Sequence, residues 1–125
     1  MARILRGYDF DRVCSIGINL EQPCVIVSGR TFSEYDDFIK SFAQEYPVYI
    51  RGVGSRGDAV HAGLHKASII NLLGITEFYE DDPVQMRIIL EKCPSCTVYL
   101  VSRTRDGKIV LKKQCTTIFL IVDKS

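Results

Sequence analysis

Apolar positions along this chain follow two patterns that alternate with each other. The continuous run at residues 24–27, Cys-Val-Ile-Val, is typical of a strand that is buried on both faces of a parallel sheet. Residues 32–45 instead carry apolar side chains at helical spacing. Such patterns predict strands over residues 3–8, 24–27, 48–50, 75–79, 97–101, 109–111 and 116–122. They predict helices over residues 32–45, 64–73 and 84–92.

Local signals place the ends of these elements. Thr31 or Ser33 is the predicted cap of the first helix, Gly74 is the stop of the second, and Pro83 begins the third. The stretch 51–63 holds four glycines and two arginines, and we interpret it as a loop. Whether this loop belongs to a site or is a flexible surface connection stays open at the level of sequence.

Strands and helices alternate from residue 3 to residue 101, and strands then follow one another directly. This order predicts an α/β sandwich in which a mostly parallel sheet ends in an antiparallel C-terminal hairpin, with its turn at Asp106-Gly107. A chain of 125 residues is long enough to bury a core, so we expect one domain over residues 1–125.

Composition and charge narrow the function only by exclusion. Hydrophobic residues make up 46% of the chain, charged residues 25%, and the formal net charge is +1. No overall field therefore draws the protein to nucleic acid or to a membrane surface. Residues 1–6 lack the apolar core of a signal peptide, and no apolar run is long enough to span a bilayer. We accordingly expect a cytoplasmic protein that has no contact with membranes.

Five cysteines are present, and Cys93-Pro94-Ser95-Cys96 forms one C-x-x-C motif. A zinc finger would need a second pair at the proper spacing, which the chain lacks. Reduced thiols with a structural role are therefore the main prediction, with zinc binding at this motif as the alternative. Cys14 and Cys24 lie near apolar segments and are interpreted as small buried side chains.

Polar residues gather where the predicted strands end. Carboxyl ends of parallel strands meet at one edge of a sheet, and sheets of this kind bind their ligands there. The residues predicted near this edge are Asp9, Asp11, Ser28, Gly29, Lys66, Glu80, Asp81 and Asp82. Asp9 and Asp11 are two residues apart, and carboxylates at this spacing suit Mg²⁺. Proteins hold this ion with a few carboxylates together with water and phosphate oxygens.

Each of these residue types has a part in phosphoryl transfer. An Asp carboxylate such as Asp9 is able to attack phosphorus, while Asp11 is placed to protonate the leaving oxygen and later to activate water. Ser28, Gly29 and Lys66 supply donors for the phosphoryl oxygens, where negative charge must be stabilised.

The acids after the fourth predicted strand would complete the magnesium site, with Glu80 and Asp81 joining Asp9 and Asp11 as metal ligands. Simpler interpretations remain open for each part. Ser28 is also a suitable helix cap, Lys66 an ordinary solvated lysine, and residues 80–82 an acidic helix start.

The order of these motifs resembles that of the haloacid dehalogenase-like (HAD) superfamily of phosphotransferases. Asp9-Phe10-Asp11 matches the Asp-x-Asp that follows a strand in that family, and Ser28 matches its Ser or Thr at the end of the next core strand. Lys66 near the start of a helix and the acids at 80–82 match the third and fourth motifs.

The resemblance covers about residues 4–101 and is most specific over residues 65–83. It implies a three-layer Rossmann-like sandwich, Mg²⁺ as cofactor and Asp9 as nucleophile. Two departures stand out. Arg12 occupies a position where the family usually has glycine, and the short interval between Asp11 and Ser28 leaves no room for a cap domain.

The resemblance therefore implies a minimal, capless phosphatase or phosphotransferase that forms an aspartyl-phosphate. Because an open site encloses a small metabolite poorly, its phosphorylated substrate is expected to be large or extended, with a phosphoprotein or a nucleic-acid end among the candidates. A catalytically inactive binding or regulatory module on the same fold is the alternative, and an unrelated Rossmann-like domain with a structural metal is a third. Association into a homo-oligomer is left open.

Overall fold

The computed structural model describes residues 3–52 and 57–114. The strands are β1 (Arg6–Tyr8), β2 (Cys24–Thr31), β3 (Val48–Arg51), β4 (Glu77–Glu80), β5 (Thr97–Arg103) and β6 (Ile109–Gln114). The α-helices are α1 (Asp37–Ala43), α2 (Ala59–Leu73) and α3 (Pro83–Lys92). Two short 3₁₀ helices cover Cys14–Ile16 and Phe32–Glu34.

The six strands form one sheet in the order β3-β2-β1-β4-β5-β6. All neighbouring strands are parallel except β5 and β6, which pair antiparallel. The predicted α/β fold, with a mostly parallel sheet and an antiparallel hairpin, is thereby confirmed. Strand β1 is central, since Tyr8 pairs with Ile26 of β2 on one side and with Tyr79 of β4 on the other. Residues that follow these three strands consequently meet in the middle of the carboxyl edge.

Two apolar cores lie on opposite faces of the sheet, and the alternation of side chains along β2 supplies both. Val25 and Val27 pack with buried residues of α2 and α3. Cys24 and Ile26 point to the other face, where they pack with Ile39 of α1. The protein is thus a three-layer Rossmann-like sandwich, with both faces of its parallel strands covered as such sheets require.

Helix α2 begins at Ala59 instead of residue 64, so the loop predicted over residues 51–63 is wrong for its last part. Asp58 caps the helix by accepting a hydrogen bond of 2.8 Å from the backbone N–H of His61. Gly63, which favoured a loop in the sequence, lies inside the helix. A Cβ at this position would come within 3.2 Å of the Gln85 Cα, so the glycine lets α2 and α3 pack closely.

The helix predicted over residues 32–45 is a 3₁₀ turn followed by the shorter helix α1. Asp36 caps α1, and its Oδ1 accepts from the backbone N–H of Ile39 at 3.1 Å. Thr31 instead caps the preceding 3₁₀ helix, where its backbone N–H donates to Oε1 of Glu34 at 3.0 Å, so the predicted cap is correct for the start of the segment and wrong for α1. The helix was predicted too long because Phe32, which contributed to the helical spacing of apolar residues, lies in the 3₁₀ helix instead of α1.

Strand β2 also differs from its prediction, since it continues through Ser28 to Thr31 instead of turning after residue 27. Its polar end pairs with β3, where Thr31 lies opposite Arg51 after an irregularity in the register. Polar residues at a strand end carry no apolar pattern, which is why the sequence favoured a turn here. The strand predicted over residues 116–122 lies outside the described residues.

Other local predictions are confirmed. Gly74 ends α2 in the left-handed conformation with a φ of 69°, and Pro83 is the first residue of α3. The β5–β6 hairpin turns at Gly107, which has a φ of 86°. The cysteines that the structure describes, namely Cys14, Cys24, Cys93 and Cys96, are all buried and without disulfides. Over the same part of the chain, no helix combines the length and the apolar character needed to cross a membrane.

Candidate active site

A cavity of about 330 Å³ lies at the carboxyl edge of the central strands. Its wall includes residues from the regions that the sequence singled out: Asp9 follows β1, Gly29 lies in β2, Lys66 belongs to α2, and Asp81 follows β4. The topology thus brings these regions together. Gly29 has a steric reason to be glycine, because a Cβ there would come within 3.1 Å of the Ala62 Cβ on α2.

Lys66 is the centre of the cavity floor. Its Nζ lies 2.9 Å from Oδ1 of Asp9 and donates a hydrogen bond of 2.7 Å to Oε1 of Glu80. All three side chains are almost completely buried. The other oxygen of Glu80 accepts from the backbone N–H groups of Asp81 and Asp82 at 3.0 and 3.2 Å. Glu80 is therefore held from both sides, and it holds the lysine beside Asp9.

Burial dominates the electrostatics of this triad. It raises the pKa of Asp9 well above 3.8, against the opposing effect of Lys66, and the nearby Glu80 raises it further. Burial likewise raises the pKa of Glu80. For Lys66, burial alone would lower the pKa, but the two carboxylates together raise it above 10.5. One ammonium thus serves two carboxylates, and the triad has a surplus of negative charge when both are ionised.

Asp11, the predicted acid and base, lines the same cavity but is engaged by an arginine. Arg30 Nη2 donates to Oδ1 of Asp11 at 2.8 Å, and Arg30 Nε donates to Oδ2 at 3.1 Å. The same guanidinium donates through Nη1 to Oδ2 of Asp36 at 2.9 Å. A bidentate pair of this kind holds the Asp11 side chain firmly in one orientation.

Ser28 is the predicted site residue that the structure places apart from the rest. Its side chain is fully buried, and its Oγ accepts a hydrogen bond of 3.0 Å from the backbone N–H of Arg30. The cavity is lined by Gly29 and Arg30, and Ser28 is not among its lining residues. The hydroxyl thus orders the end of β2, and the phosphate contact through Ser28 stays a prediction.

The donor set fits the predicted magnesium ion. Carboxylate oxygens of Asp9, Glu80 and Asp81 all lie within 4.8 Å of one another, and oxygen donors are what Mg²⁺ prefers. Both oxygens of Glu80 are engaged, by Lys66 and by backbone N–H groups. Asp82 caps α3, and its Oδ1 accepts from the Val84 N–H at 2.8 Å. Asp9 and Asp81 are therefore the acids best placed to hold a metal.

Arg12 occupies the turn between Asp9 and the rest of the loop in the left-handed conformation, with a φ of 58°. Glycine suits this position because only a residue without a Cβ adopts the left-handed conformation at no steric cost. The Arg12 side chain is mostly exposed, and its Nε contacts Oδ2 of Asp81 at 2.7 Å. The backbone at Arg12 thus adopts a conformation that suits glycine, while the Arg12 side chain contacts Asp81, a predicted metal ligand.

Replacing Arg12 with glycine should leave stability within about 1 kcal/mol of the native value, because relief of the left-handed strain offsets the loss of an exposed ion pair. It should also release Asp81, so that Mg²⁺ stabilises the protein at concentrations up to about fivefold lower. The measurement is the melting temperature during a Mg²⁺ titration. Arg12→Ala is the matched control, since it releases Asp81 but keeps the strain. Unchanged Mg²⁺ dependence in both variants would contradict this assignment of Asp81.

Arg51 is the residue of this site whose importance the sequence did not reveal. It ends β3, it is only 4% exposed, and it lines the cavity. In the sequence, Arg51 was one of several basic side chains interpreted as scattered surface charges, with a place in a phosphate pocket as the alternative. The sequence of β3 carried no clear signal for this burial, because Val48, Tyr49 and Ile50 are all half-buried and show no alternation.

Comparisons of the chain with protein-family models, with curated proteins and with solved structures give no match. Assignment of a function therefore depends on the geometry of the cavity and on the motifs that line it.

Proposed function

We propose that the protein is a HAD-like, Mg²⁺-dependent phosphatase or phosphotransferase that acts through a phosphorylated Asp9. The observation that carries the proposal is the buried contact of Lys66 with both Asp9 and Glu80 at the edge of the sheet. Burying one ammonium with two carboxylates costs free energy that an apolar core would avoid. Placing this triad in a cavity, at the end of a central strand, is typical of a catalytic site.

The chain's own residues account for the steps of such a reaction. The carboxylate of Asp9 attacks phosphorus, so that an O–P bond forms as the bond from phosphorus to the leaving oxygen breaks. Asp11 gives the leaving oxygen a proton and then takes one from water, which attacks the aspartyl-phosphate and releases phosphate from Asp9. Lys66 holds Asp9 in position through the contact with Oδ1. A bound Mg²⁺, held by Asp9 and Asp81, would supply positive charge to the phosphoryl oxygens.

The substrate class follows from what surrounds the cavity. Between Asp11 and the start of β2 at Cys24, the chain forms only a 3₁₀ helix, Cys14–Ile16, and loops. A lid of the size of a cap domain is not formed by this segment. The proposed substrate is therefore a phosphate group on a large or extended molecule, whose remaining part excludes water from the site as it binds.

A second function is favoured by the state of Asp11. Both oxygens of its carboxylate are engaged by Arg30, whereas a general acid must be able to reach the leaving oxygen. A binding module on the same fold would hold a phosphorylated partner in this cavity without breaking the phosphate ester. The two functions differ in turnover and in the covalent state of Asp9.

Trapping of the intermediate tests the proposal directly. The protein is incubated with an aryl phosphate and Mg²⁺, quenched in acid and reduced with borohydride, which converts an aspartyl-phosphate into homoserine. We expect Mg²⁺-dependent release of phosphate and a mass change at Asp9 alone, with Asp37, an exposed aspartate on α1, as the internal control. Phosphate binding without turnover and without modification of Asp9 would favour the binding module instead.

A further inference from the structure

Four cationic side chains line the cavity, and three of them already have carboxylate partners. Lys66 contacts Asp9 and Glu80 within the buried triad. Arg30 forms ion pairs with Asp11 and Asp36. These contacts use the positive charge that a bound phosphoryl group would need.

Arg12, the third, is engaged by Asp81 at 2.7 Å and is mostly exposed to solvent. An exposed pair of this kind is weak and screened by salt, so Arg12 adds little to the attraction of an anion into the cavity.

Arg51 is the fourth cation, and it differs from the others. It is buried to 96% in the folded chain, yet no carboxylate within residues 3–52 and 57–114 forms an ion pair with it. Its recorded hydrogen bond runs from Nη1 to the carbonyl oxygen of Gly29, and at 3.5 Å this bond is long. Arginine stays protonated in proteins, so the side chain is a buried positive charge.

A buried charge without a counter-charge is costly, and proteins rarely keep one unless it serves a purpose. No carboxylate of the described residues is paired with Arg51, and its neighbours do not change this. His65 is half-buried beside it and is kept neutral, because burial lowers its pKa and the neighbouring Arg51 and Lys66 lower it further. Asp58, the acid that begins α2, is hydrogen-bonded through Oδ1 to the ring nitrogen Nδ1 of His61 at 2.7 Å.

We propose that Arg51 is the oxyanion-binding residue of the cavity and that its ligand is a tetrahedral, doubly charged phosphoryl group. The planar fork of a guanidinium matches two oxygens of such a group, and a ligand of this kind would supply the counter-charge that the described residues lack. The nature of the ligand rests on the proposed function, but binding does not require turnover.

The test is binding of inorganic phosphate, measured by calorimetry in the presence of Mg²⁺. Arg51→Gln should weaken the affinity at least about tenfold, because it removes a charged and bidentate donor. Arg51→Lys should restore part of the affinity, since it returns the charge without the fork. Arg87→Gln, on the exposed side of α3, is the matched control and should bind phosphate as the native protein does.

A merely structural role for Arg51 predicts a different result. If the side chain only supports the Gly29 carbonyl, Arg51→Gln lowers the melting temperature without phosphate and leaves phosphate affinity unchanged. Equal affinities in the native protein and Arg51→Gln, or no phosphate binding by the native protein, would overturn the inference. Arg51-dependent phosphate binding without hydrolysis of aryl phosphates would support it while overturning the proposed catalysis.

Discussion

Replacing Lys66 with methionine is expected to lower the free energy of unfolding by about 3–5 kcal/mol, the cost of leaving buried charges without their partner. The substitution preserves the volume and apolar stem of the side chain, so the effect is electrostatic. Asp9 and Glu80 would then face each other in a site where both are at most 4% exposed. One of them would have to take up a proton at neutral pH for the fold to persist.

Denaturant unfolding of the native protein and the variant measures this loss. Lys92→Met, at the exposed end of α3, is the matched control and should change stability by less than about 0.5 kcal/mol. Adding Asp9→Asn and Glu80→Gln to Lys66→Met should recover much of the loss, because the three sites share one electrostatic network. A loss below about 1 kcal/mol would show that the lysine is not what compensates the two acids.

Replacing Asp9 with asparagine is expected to have opposite effects on activity and on stability. Removal of the proposed nucleophile should lower turnover by about 10⁴-fold or more. The amide oxygen of asparagine remains able to accept from the Phe10 N–H and from Lys66 Nζ, the contacts that Oδ1 of Asp9 makes at 2.8 and 2.9 Å. Lys66 and Glu80 would be left as a balanced pair, so stability should rise by about 1 kcal/mol.

The gain in stability should depend on pH in a defined direction. Burial raises the pKa of Asp9 in the folded protein well above its ordinary value of 3.8. Below that ordinary value Asp9 is protonated in both the folded and the unfolded chain, and the two proteins should be similarly stable. As the pH rises through the raised pKa, the native protein loses stability relative to the variant.

Thermal unfolding of both proteins in metal-free buffer, across a series of pH values, measures this difference. Asp37→Asn on α1 is the matched control, since it makes the same chemical change on the surface. If the Asp9→Asn variant is less stable than the native protein at neutral pH, the inference that the triad carries surplus negative charge would be wrong. Should it keep native turnover, Asp9 would not be the nucleophile.

The sequence predicted the fold well because most element boundaries carry a local signal. The run at residues 24–27 and the left-handed stop at Gly74 are examples, and both depend only on neighbouring residues. The start of α2 was missed because Gly63 has a tertiary role, namely close packing against α3, which no local rule expresses. Strand β2 was predicted too short because its polar end is held by pairing with β3.

For the candidate site, the sequence predicted which strand ends meet but not the individual side-chain contacts. The position of Asp9, Lys66 and Glu80 around one point follows from parallel strands with a common carboxyl edge. The pairing of Arg30 with Asp11 was not predictable, because it joins the unpredicted polar end of β2 to the loop after β1. The burial of Arg51 likewise depends on what packs over the end of β3.

Three of the cavity-lining residues of α2 and its cap are spaced by four: Asp58 at the cap, Ala62 against Gly29, and Lys66 at the floor. Residues spaced by four lie on one face of a helix, about 6 Å apart along its axis, so α2 fixes the spacing of these residues along the cavity wall. Substitutions on the outer face of α2 would leave this spacing intact, whereas an insertion or deletion in the helix would disrupt it. One inserted residue between Ala62 and Lys66 would turn the lysine by about 100° and part it from Asp9, although every residue type of the site would still be present.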